Sequence, residues 1–370
     1  AALGEDDLIE AIQGVHLLGI RSTTYVTERV LANAPDLLAI GAFCIGTNQI
    51  DLAATNAHGV AVFNAPYSNT RSVVELAIAE IISLARRLHE KSTAMHDGVW
   101  NKSAAGSHEV RGRTLGIVGY GNIGSQLSVI AEALGLSVIF YDIDDKLALG
   151  NARKCATLEE LLADADVVSL HVDGRPGNAG LFGDNQMRAM KPRALFMNLS
   201  RGIAVDTEAL SRHLKSGHIA GAALDVFPVE PKAQGDPFES DLRGIPNVIL
   251  TPHVGGSTEE AQQDIGRFVA SKLRAYAKAG TTSLSVTFPE LALPSDPERH
   301  RLAHVHANAP GVLARINTIL GDHGVNIEGQ QLATKGELGY VVTDISAEVG
   351  TEVLNELAAL PETVRLRQLS

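Results

Sequence analysis

A glycine-rich turn between two apolar segments constrains this chain more than any other feature. The turn, residues 119–124 (GYGNIG), follows the apolar run Thr114–Val118 and leads into Ile123–Leu134, which carries apolar residues at helical spacing. A second apolar run, Ser137–Tyr141, ends at the acid Asp142. This order of strand, glycine turn, helix, strand and acid predicts a βαβ unit that binds a dinucleotide.

Each part of this unit has a predicted task. The glycines permit a tight turn, close approach of the backbone to a pyrophosphate and close packing of helix on strand, and the free N–H groups at the helix start receive the phosphate. Asp142 accepts hydrogen bonds from both ribose hydroxyls and repels a 2′-phosphate, which favours NAD over NADP. The cofactor-binding residues predicted from the motif are Gly119, Gly121, Asn122, Ile123, Gly124 and Asp142.

The composition narrows the class of protein. A chain of 370 residues is long enough for two or three domains, and 45% hydrophobic with 20% charged residues is typical of a globular protein. The net charge of −12 argues against nucleic acid or an anionic membrane as a partner, and no apolar run approaches the roughly 18 residues that a membrane helix needs. Two cysteines, Cys44 and Cys155, make no disulfide framework and favour a cytoplasmic location.

The apolar pattern predicts an α/β protein with three parts. Residues 1–68 and 256–290 are expected to form a split, flavodoxin-like substrate domain, into which a Rossmann-type doubly wound NAD domain, residues 69–255, is inserted. One long helix over Thr70–His96 is expected to lead to the glycine turn, with a cleft between the two domains. Residues 291–300 read as a linker, and residues 301–370 follow a ferredoxin-like βαββαβ pattern. Because the chain opens in a helix-like stretch without methionine, we expect the first strand of the split domain to be missing.

Polar side chains follow three successive strands of the nucleotide domain, at the strand ends that border the cofactor crevice. Arg201 can hold a carboxylate in a bidentate fork and polarise the adjacent carbonyl. His253 can exchange the proton of a secondary hydroxyl while hydride moves to or from a nicotinamide ring. Glu230 can orient His253 and favour its protonated form. Together the three predict hydride transfer on a hydroxy acid.

The strings around these residues resemble the D-isomer-specific 2-hydroxyacid dehydrogenases, and the likeness covers essentially the whole chain. It rests on GYGNIG, Ser200–Gly202 (SRG), Asp225–Pro231 (DVFPVEP) and Thr251–Thr258 (TPHVGGST). The resemblance implies that Arg201, Glu230 and His253 are catalytic, that Asp225 lies near the nicotinamide carboxamide and that His171 lines the cofactor. Within the family the likeness is greatest to members that oxidise D-3-phosphoglycerate with NAD at the start of L-serine synthesis and that can also reduce 2-oxoglutarate.

The resemblance also implies a substrate pocket in which Arg21, Ser22 and Asn69 receive the carboxylate and the phosphate. Arg21 ends the apolar segment HLLGIR, and a dianionic substrate needs such charge-assisted donors. Trp100 matches a family position that packs into a neighbouring subunit, whereas the residues alone favour a tryptophan in the core.

The C-terminal module resembles an ACT domain. By that resemblance His306, Asn308 and Asn326 contact L-serine across a dimer of modules in a homotetramer, and our hypothesis is feedback inhibition through domain closure. A polar dimer rim is the alternative. The alternating pattern puts His304 on the same strand face as His306, but no third ligand follows at metal spacing, so no metal is predicted.

Two other interpretations stay open. A general 2-hydroxyacid reductase acting on glyoxylate or hydroxypyruvate would share every catalytic residue, although it would normally lack the ACT module. A non-enzymatic NAD-sensing scaffold of the same fold is the other, and measured turnover decides between an enzyme and a scaffold.

Overall fold

The structure is a computed structural model that describes residues 3–231, 235–292 and 300–369. The chain divides into two compact units, one made of residues 1–68 with 263–370 and the other of residues 69–262. In the described part, no helix has the length and apolar character needed to cross a membrane.

Helices and strands alternate in residues 3–68. They are α1 (Glu5–Ala11), β1 (Leu17–Ile20), α2 (Glu28–Ala32), β2 (Ala39–Ala42), α3 (Leu52–Ala57) and β3 (Ala61–Phe63). The strands form a parallel sheet in the order β1-β2-β3. Two helices begin where the sequence supplies a cap, because Thr27 accepts from the Val30 amide and Asp51 accepts from the Ala54 amide.

Residues 69–262 form a parallel sheet with helices packed on it. Its elements are α4 (Thr70–Arg86), α5 (Leu88–His96), β4 (Thr114–Val118), α6 (Asn122–Ala133), β5 (Ser137–Tyr141), β6 (Arg153–Lys154), α7 (Leu158–Asp164), β7 (Val167–Leu170), α8 (Asp184–Ala189), β8 (Ala194–Asn198), α9 (Thr207–Lys215), β9 (Ile219–Leu224) and β10 (Val248–Leu250). The seven strands lie in the order β10-β9-β8-β7-β4-β5-β6. Since β4, β7, β8 and β9 are almost wholly buried, they read as continuous apolar runs.

The single helix predicted over Thr70–His96 is wrong, because the structure has two helices that meet at Arg87. That residue adopts a left-handed conformation (φ 52°, ψ 37°), and its guanidinium pairs with Glu90 at 2.7 Å. The break lies where the buried apolar face of the helix ends, since α4 buries eight residues and α5 buries none. Trp100, shortly after α5, is 77% exposed in this chain, so the core position favoured for it is also wrong.

The rest of the chain adds a long helix and an antiparallel sheet. The elements are α10 (Glu259–Ala279), β11 (His300–Ala307), α11 (Val312–Asp322), β12 (Ile327–Lys335), β13 (Leu338–Ile345), α12 (Thr351–Ala358) and β14 (Thr363–Leu369). The sheet order β12-β13-β11-β14 is that of a ferredoxin-like βαββαβ module. The predicted α/β fold class is therefore confirmed.

This module shares a core with the end of α10. The Tyr340 hydroxyl donates to the Gly280 carbonyl at 2.7 Å, and the Arg367 guanidinium lies 4.2 Å from the centre of the Tyr276 ring. Arg301 pairs with Asp344 at 2.6 Å, both side chains being nearly buried. Most of the predicted linker, residues 293–299, lies outside the described residues.

Candidate active site

The glycine turn between β4 and α6 is shaped by close packing at two of its glycines. Gly119 has φ 92°, and a β-carbon there would lie 2.6 Å from the His171 carbonyl oxygen. A β-carbon on Gly124 would overlap the Gly119 carbonyl and lie 3.0 Å from Ile117. Gly121 differs, because nothing lies within 4 Å of the position its β-carbon would take. The turn therefore keeps open space directly before α6.

The residues at the mouth of this turn suit a dinucleotide. Gly121 and Asn122 are exposed at the start of α6, a helix of 12 residues whose first N–H groups lack helical partners. Ile123 is half-buried. Asp142 stands just beyond β5, where its Oδ2 accepts from the Tyr120 amide at 2.7 Å. A carboxylate fixed beside an open turn fits a group with a pyrophosphate and ribose hydroxyls.

Basic side chains near Asp142 are held by other acids. Lys146 pairs with Asp144 at 3.0 Å, and Arg175 pairs with Asp173 at 2.6 Å. His171 follows β7 and carries its Nε2 atom 2.9 Å from the Ser169 hydroxyl. Burial lowers the pKa of His171 to about 4, so the ring is neutral beside the turn.

Arg201 is placed by the loop after β8. The Asn198 carboxamide accepts from the Ser200 amide at 3.1 Å and donates to the Arg201 carbonyl at 3.0 Å. The half-buried Arg201 side chain donates to the Ser200 carbonyl through Nη1 at 2.7 Å. Its remaining N–H groups suit a carboxylate.

His253 and Glu230 come together from the loops after β10 and β9. The Nδ1 atom of His253 lies 2.9 Å from Glu230 Oε2, and Glu230 Oε1 accepts from the Phe227 amide at 3.1 Å. His253 itself has φ 54°, a left-handed conformation that a histidine rarely adopts. Since Nδ1 faces Glu230, the other ring nitrogen, Nε2, is left for a reacting group.

The electrostatics of the pair favour an imidazolium beside a carboxylate. The hydrogen bond with Glu230 raises the pKa of His253 against the opposing effect of burial, and the charge of Asp225 adds to the rise. Burial alone would raise the pKa of Glu230, but the bonds from His253 and the Phe227 amide, with the charge of Arg201, lower it overall. His253 therefore holds a proton to higher pH than a free histidine.

Asp225 binds the loop that carries His253. Its side chain is 2% exposed and accepts three hydrogen bonds, from the Thr251 hydroxyl at 2.6 Å, the Val254 amide at 2.8 Å and the Gly255 amide at 2.7 Å. These donors bracket His253, so Asp225 fixes the loop on both sides of the strained residue.

Comparison with known proteins decides the family. Residues 78–255 match the model for the D-isomer specific 2-hydroxyacid dehydrogenase, NAD binding domain. The chain is 50% identical over 368 residues to D-3-phosphoglycerate dehydrogenase of Haemophilus influenzae and 51% identical over 370 residues to that of Escherichia coli K12, covering 100% of this chain and 90% of each relative. The chain belongs to the D-isomer-specific 2-hydroxyacid dehydrogenase family. It is an NAD-dependent oxidoreductase, and the predicted family and cofactor are confirmed.

Two solved structures share this fold over 77–78% of the chain. D-2-hydroxyisocaproate dehydrogenase matches with a TM-score of 0.72 and 27% identity over 78% of this chain and 90% of that one. The family member from Lactobacillus delbrueckii ssp. bulgaricus, solved as its NAD complex, matches with a TM-score of 0.69 and 28% identity over 77% of this chain and 90% of that one. Residues 302–365 separately match the AHAS small subunit-like ACT domain.

The other residues predicted from the family lie in both compact units. Asn69 directly precedes α4, and its side chain contacts Gly256, three residues beyond His253. Arg21 and Ser22 belong to the other unit, where both are exposed just after β1. The described contacts thus bring Asn69 to the His253 loop, while the roles of Arg21 and Ser22 stay predictions.

Two of the predicted effector residues, His306 and Asn308, lie at the C-terminal end of β11, whereas the sheet register places Asn326 at the opposite end of the module, beside Ser346. His306 is 3% exposed, and its Nδ1 lies 2.8 Å from the Ala307 carbonyl. The exposed Asn308 donates to the Gly336 carbonyl at 3.0 Å, and the exposed Asn326 precedes β12. His304, on the same face as His306, lies 2.7 Å from the Thr363 hydroxyl.

The sequence interpretation missed a buried carboxyl group. Glu80 stands in α4 with 3% exposure, and the charge of Asp225 acts on it. A single acid on the apolar face of VVELAIAEIISL is the signal that was present.

Proposed function

We propose that the protein oxidises D-3-phosphoglycerate to 3-phosphohydroxypyruvate with NAD, the first step of L-serine biosynthesis. The observation that carries the proposal is the His253–Glu230 pair at 2.9 Å, with Arg201 close enough for its charge to act on both. This set lies in a chain 50–51% identical to proteins named D-3-phosphoglycerate dehydrogenase.

The residues around the glycine turn would hold the cofactor. The amides at the start of α6, with Gly119, Gly121, Asn122, Ile123 and Gly124, would receive the pyrophosphate, and Asp142 would accept from the ribose hydroxyls. His171 and Asp225 would face the nicotinamide end. When bound, NAD supplies the hydride acceptor for oxidation, and NADH supplies the donor for reduction.

The chain's own groups would handle the proton and the carboxylate. In oxidation His253 Nε2 takes the proton of the C2 hydroxyl while the C2 hydride leaves, so the alcohol becomes a ketone and the imidazole becomes an imidazolium. Glu230 stabilises that imidazolium through Nδ1. Arg201 holds the substrate carboxylate and polarises the C2 oxygen. In reduction the imidazolium returns its proton to that oxygen.

Arg21, Ser22 and Asn69 would line the pocket that receives the carboxylate and the phosphate of the substrate. A phosphate dianion needs charge-assisted donors, and each hydrogen bond to a charged group contributes about 1.5–3 kcal/mol. Two such bonds correspond to a preference of about 10²–10⁴-fold over an analogue without phosphate.

The test is NADH oxidation with 3-phosphohydroxypyruvate, hydroxypyruvate, glyoxylate and 2-oxoglutarate. We expect kcat/KM for the phosphorylated ketone to exceed that for hydroxypyruvate by about 100-fold or more. Arg21→Ala should remove most of this preference, whereas Arg29→Ala, a change at an exposed arginine of the same unit, should preserve it. Equal turnover of the unphosphorylated acids would instead identify a general 2-hydroxyacid reductase.

Regulation by L-serine is a second proposal and concerns the ACT module. The match of residues 302–365 to an ACT domain supports it, as does the absence of a partner for His306 Nε2 within the described residues. The amino acid would bind between two modules of a homotetramer, in contact with His306, Asn308 and Asn326. We place the enzyme in the cytoplasm. Asn326→Ala should raise the serine concentration for half-inhibition at least about tenfold, and Asn355→Ala, exposed on α12, should not. A parent enzyme whose rate is unchanged at saturating serine would contradict the proposal.

A further inference from the structure

Glu80 is a buried carboxyl group that has no task in the reaction as described so far. It lies in α4 among residues that are otherwise apolar on the buried face, including Val73, Ala77, Ile81 and Leu84. Glu80 is 3% exposed, and neither of its carboxyl oxygens has a hydrogen-bond partner among the described residues. Since an unpaired ionised carboxylate is costly in such surroundings, the resting form of Glu80 is the uncharged acid.

Glu80 lies in α4 where the helix supports the His253 loop. A β-carbon on Gly255 would lie 2.8 Å from Asp225 Oδ2 and 3.6 Å from the Leu76 side chain, so Leu76 packs against the loop. Glu80 is one turn further along the same face. At the start of the helix, Ser72 shares a 2.8 Å hydrogen bond with Thr258. The same helix face therefore contacts the loop, and Glu80 lies close enough to Asp225 for the charge of that acid to act on it.

The charged groups that act on this pair are few. Asp225 is the charged group that acts on Glu80, and after burial it raises the pKa of Glu80 further, to about 8. Asp225 acts in turn on His253, whose other charged neighbours are Glu230 and Arg201. Of the elements packed on α4, β8, β9 and β10 contain no charged residue. In α5, Glu90 pairs with Arg87 at 2.7 Å, Lys91 donates to the Ser103 carbonyl at 2.6 Å, and His89 and His96 are exposed. The buried face of α6 consists of Gly124, Leu127, Ser128 and Ala131.

We propose that Glu80 is a positioning residue for hydride transfer. As an uncharged acid it lets α4 pack beneath the loop that Asp225 holds, and through that loop it sets the position of His253. Ionisation would set two buried carboxylates against each other with no cation between them among the described residues, which loosens the bonds from Asp225 to that loop. The inference rests on the proposed function, because it assigns Glu80 to the same reaction.

The pH dependence of the oxidation rate distinguishes the titration of Glu80 from that of His253. Oxidation needs neutral His253, which is the form that persists as the pH rises, so titration of His253 alone gives a rate that rises to a plateau. A fall of kcat above the plateau must come from another group. Glu80 supplies it, since its ionised fraction grows through about pH 8.

The experiment compares kcat for D-3-phosphoglycerate oxidation in the parent, Glu80→Gln and Glu75→Gln between about pH 6 and pH 10. A group with a pKa of about 8 is about nine-tenths protonated at pH 7 and one-tenth at pH 9. The ratio of kcat in Glu80→Gln to that in the parent should therefore rise about tenfold over this interval. Glu75, exposed on the same helix and paired with Arg71 at 2.6 Å, is the matched control, and its ratio should stay flat. A flat ratio for Glu80→Gln, or a change seen only in the KM for NAD, overturns the proposal.

Thermal melting tests the carboxyl pair without any turnover. Because the pKa of folded Glu80 is raised from 4.5 to about 8, its favourable state is fully present below pH 4.5 and is lost as the pH rises through about 8. The melting temperature of Glu80→Gln minus that of the parent should grow over this window and then level off. Glu80→Met, similar in length and uncharged, should show the same trend if Glu80→Gln folds poorly. If none of the keto acids is reduced, the proposed function fails. If the difference in melting temperature between Glu80→Gln and the parent is independent of pH, the proposed interaction of Glu80 with Asp225 is wrong.

Discussion

Two glycines of the same turn should respond to alanine in opposite ways. At Gly119 the new methyl group meets the His171 carbonyl at 2.6 Å, and the backbone has φ 92°. Positive φ costs about 1–2 kcal/mol for an alanine, and forced overpacking costs about 1–3 kcal/mol more. A loss of about 2–5 kcal/mol lowers Tm by at least about 4 °C in a domain of 150–250 residues.

Gly121→Ala should instead leave the fold intact and weaken cofactor binding. Its φ of −83° suits alanine, and no atom lies within 4 Å of the added methyl. We expect Tm to change by less than about 2 °C. The methyl occupies the space where the pyrophosphate approaches the backbone, so the Kd for NADH should rise at least about tenfold, or about 1.4 kcal/mol.

The assay is a thermal melt of each variant without ligand and a fluorescence titration with NADH. The Tm of Gly119→Ala should fall. In Gly121→Ala only the Kd for NADH should rise, and the Tm should stay near that of the parent. A Gly121→Ala variant that binds NADH as tightly as the parent would refute the placement of the pyrophosphate. A Gly119→Ala variant that melts with the parent would refute the packing of the turn.

The remaining predictions concern the proton and the cofactor. Reduction of the ketone needs protonated His253, so kcat/KM for reduction should fall as the pH rises through the raised pKa of that residue; in Glu230→Gln the fall should come at lower pH, and pH profiles of both enzymes check this. Arg201→Lys should keep the charge but lose the bidentate fork, raising the KM for the keto acid about tenfold or more in steady-state kinetics. Asp142→Asn should raise the ratio of kcat/KM for NADPH to that for NADH at least about tenfold, chiefly by weakening NADH, and the same assay with either cofactor measures it.

The parts of the fold that depend on neighbouring residues followed from the sequence. The turn of residues 119–124 with β4, α6 and β5 is one local unit, in which apolar period, glycine spacing and the acid agree. The same holds for the βαββαβ order of the C-terminal module. Arg201, Glu230 and His253 could each be placed after a strand, because carboxyl ends of parallel strands meet along one edge.

Features that depend on tertiary contacts did not follow. The left-handed conformation of Arg87 divides a pattern that reads as continuous helix, and only the surroundings of that residue fix the break. Trp100 lies in a segment without a periodic pattern, so the local sequence does not predict its 77% exposure. The bonds of Asp225 to Thr251, Val254 and Gly255 and its effect on Glu80 join residues far apart in the chain. Residue spacing carries no record of such pairs.

The proposed function requires D-specific hydride transfer to a phosphorylated ketone at the His253 site. The most direct measurement is reduction of 3-phosphohydroxypyruvate with NADH deuterated at the transferable position, followed by mass and stereochemical analysis of the product. We predict 3-phosphoglycerate with one deuterium at C2 and the D configuration, formed about 10²–10⁴-fold more slowly by His253→Ala. An unlabelled or L-configured product, or an unchanged rate in His253→Ala, would contradict the account.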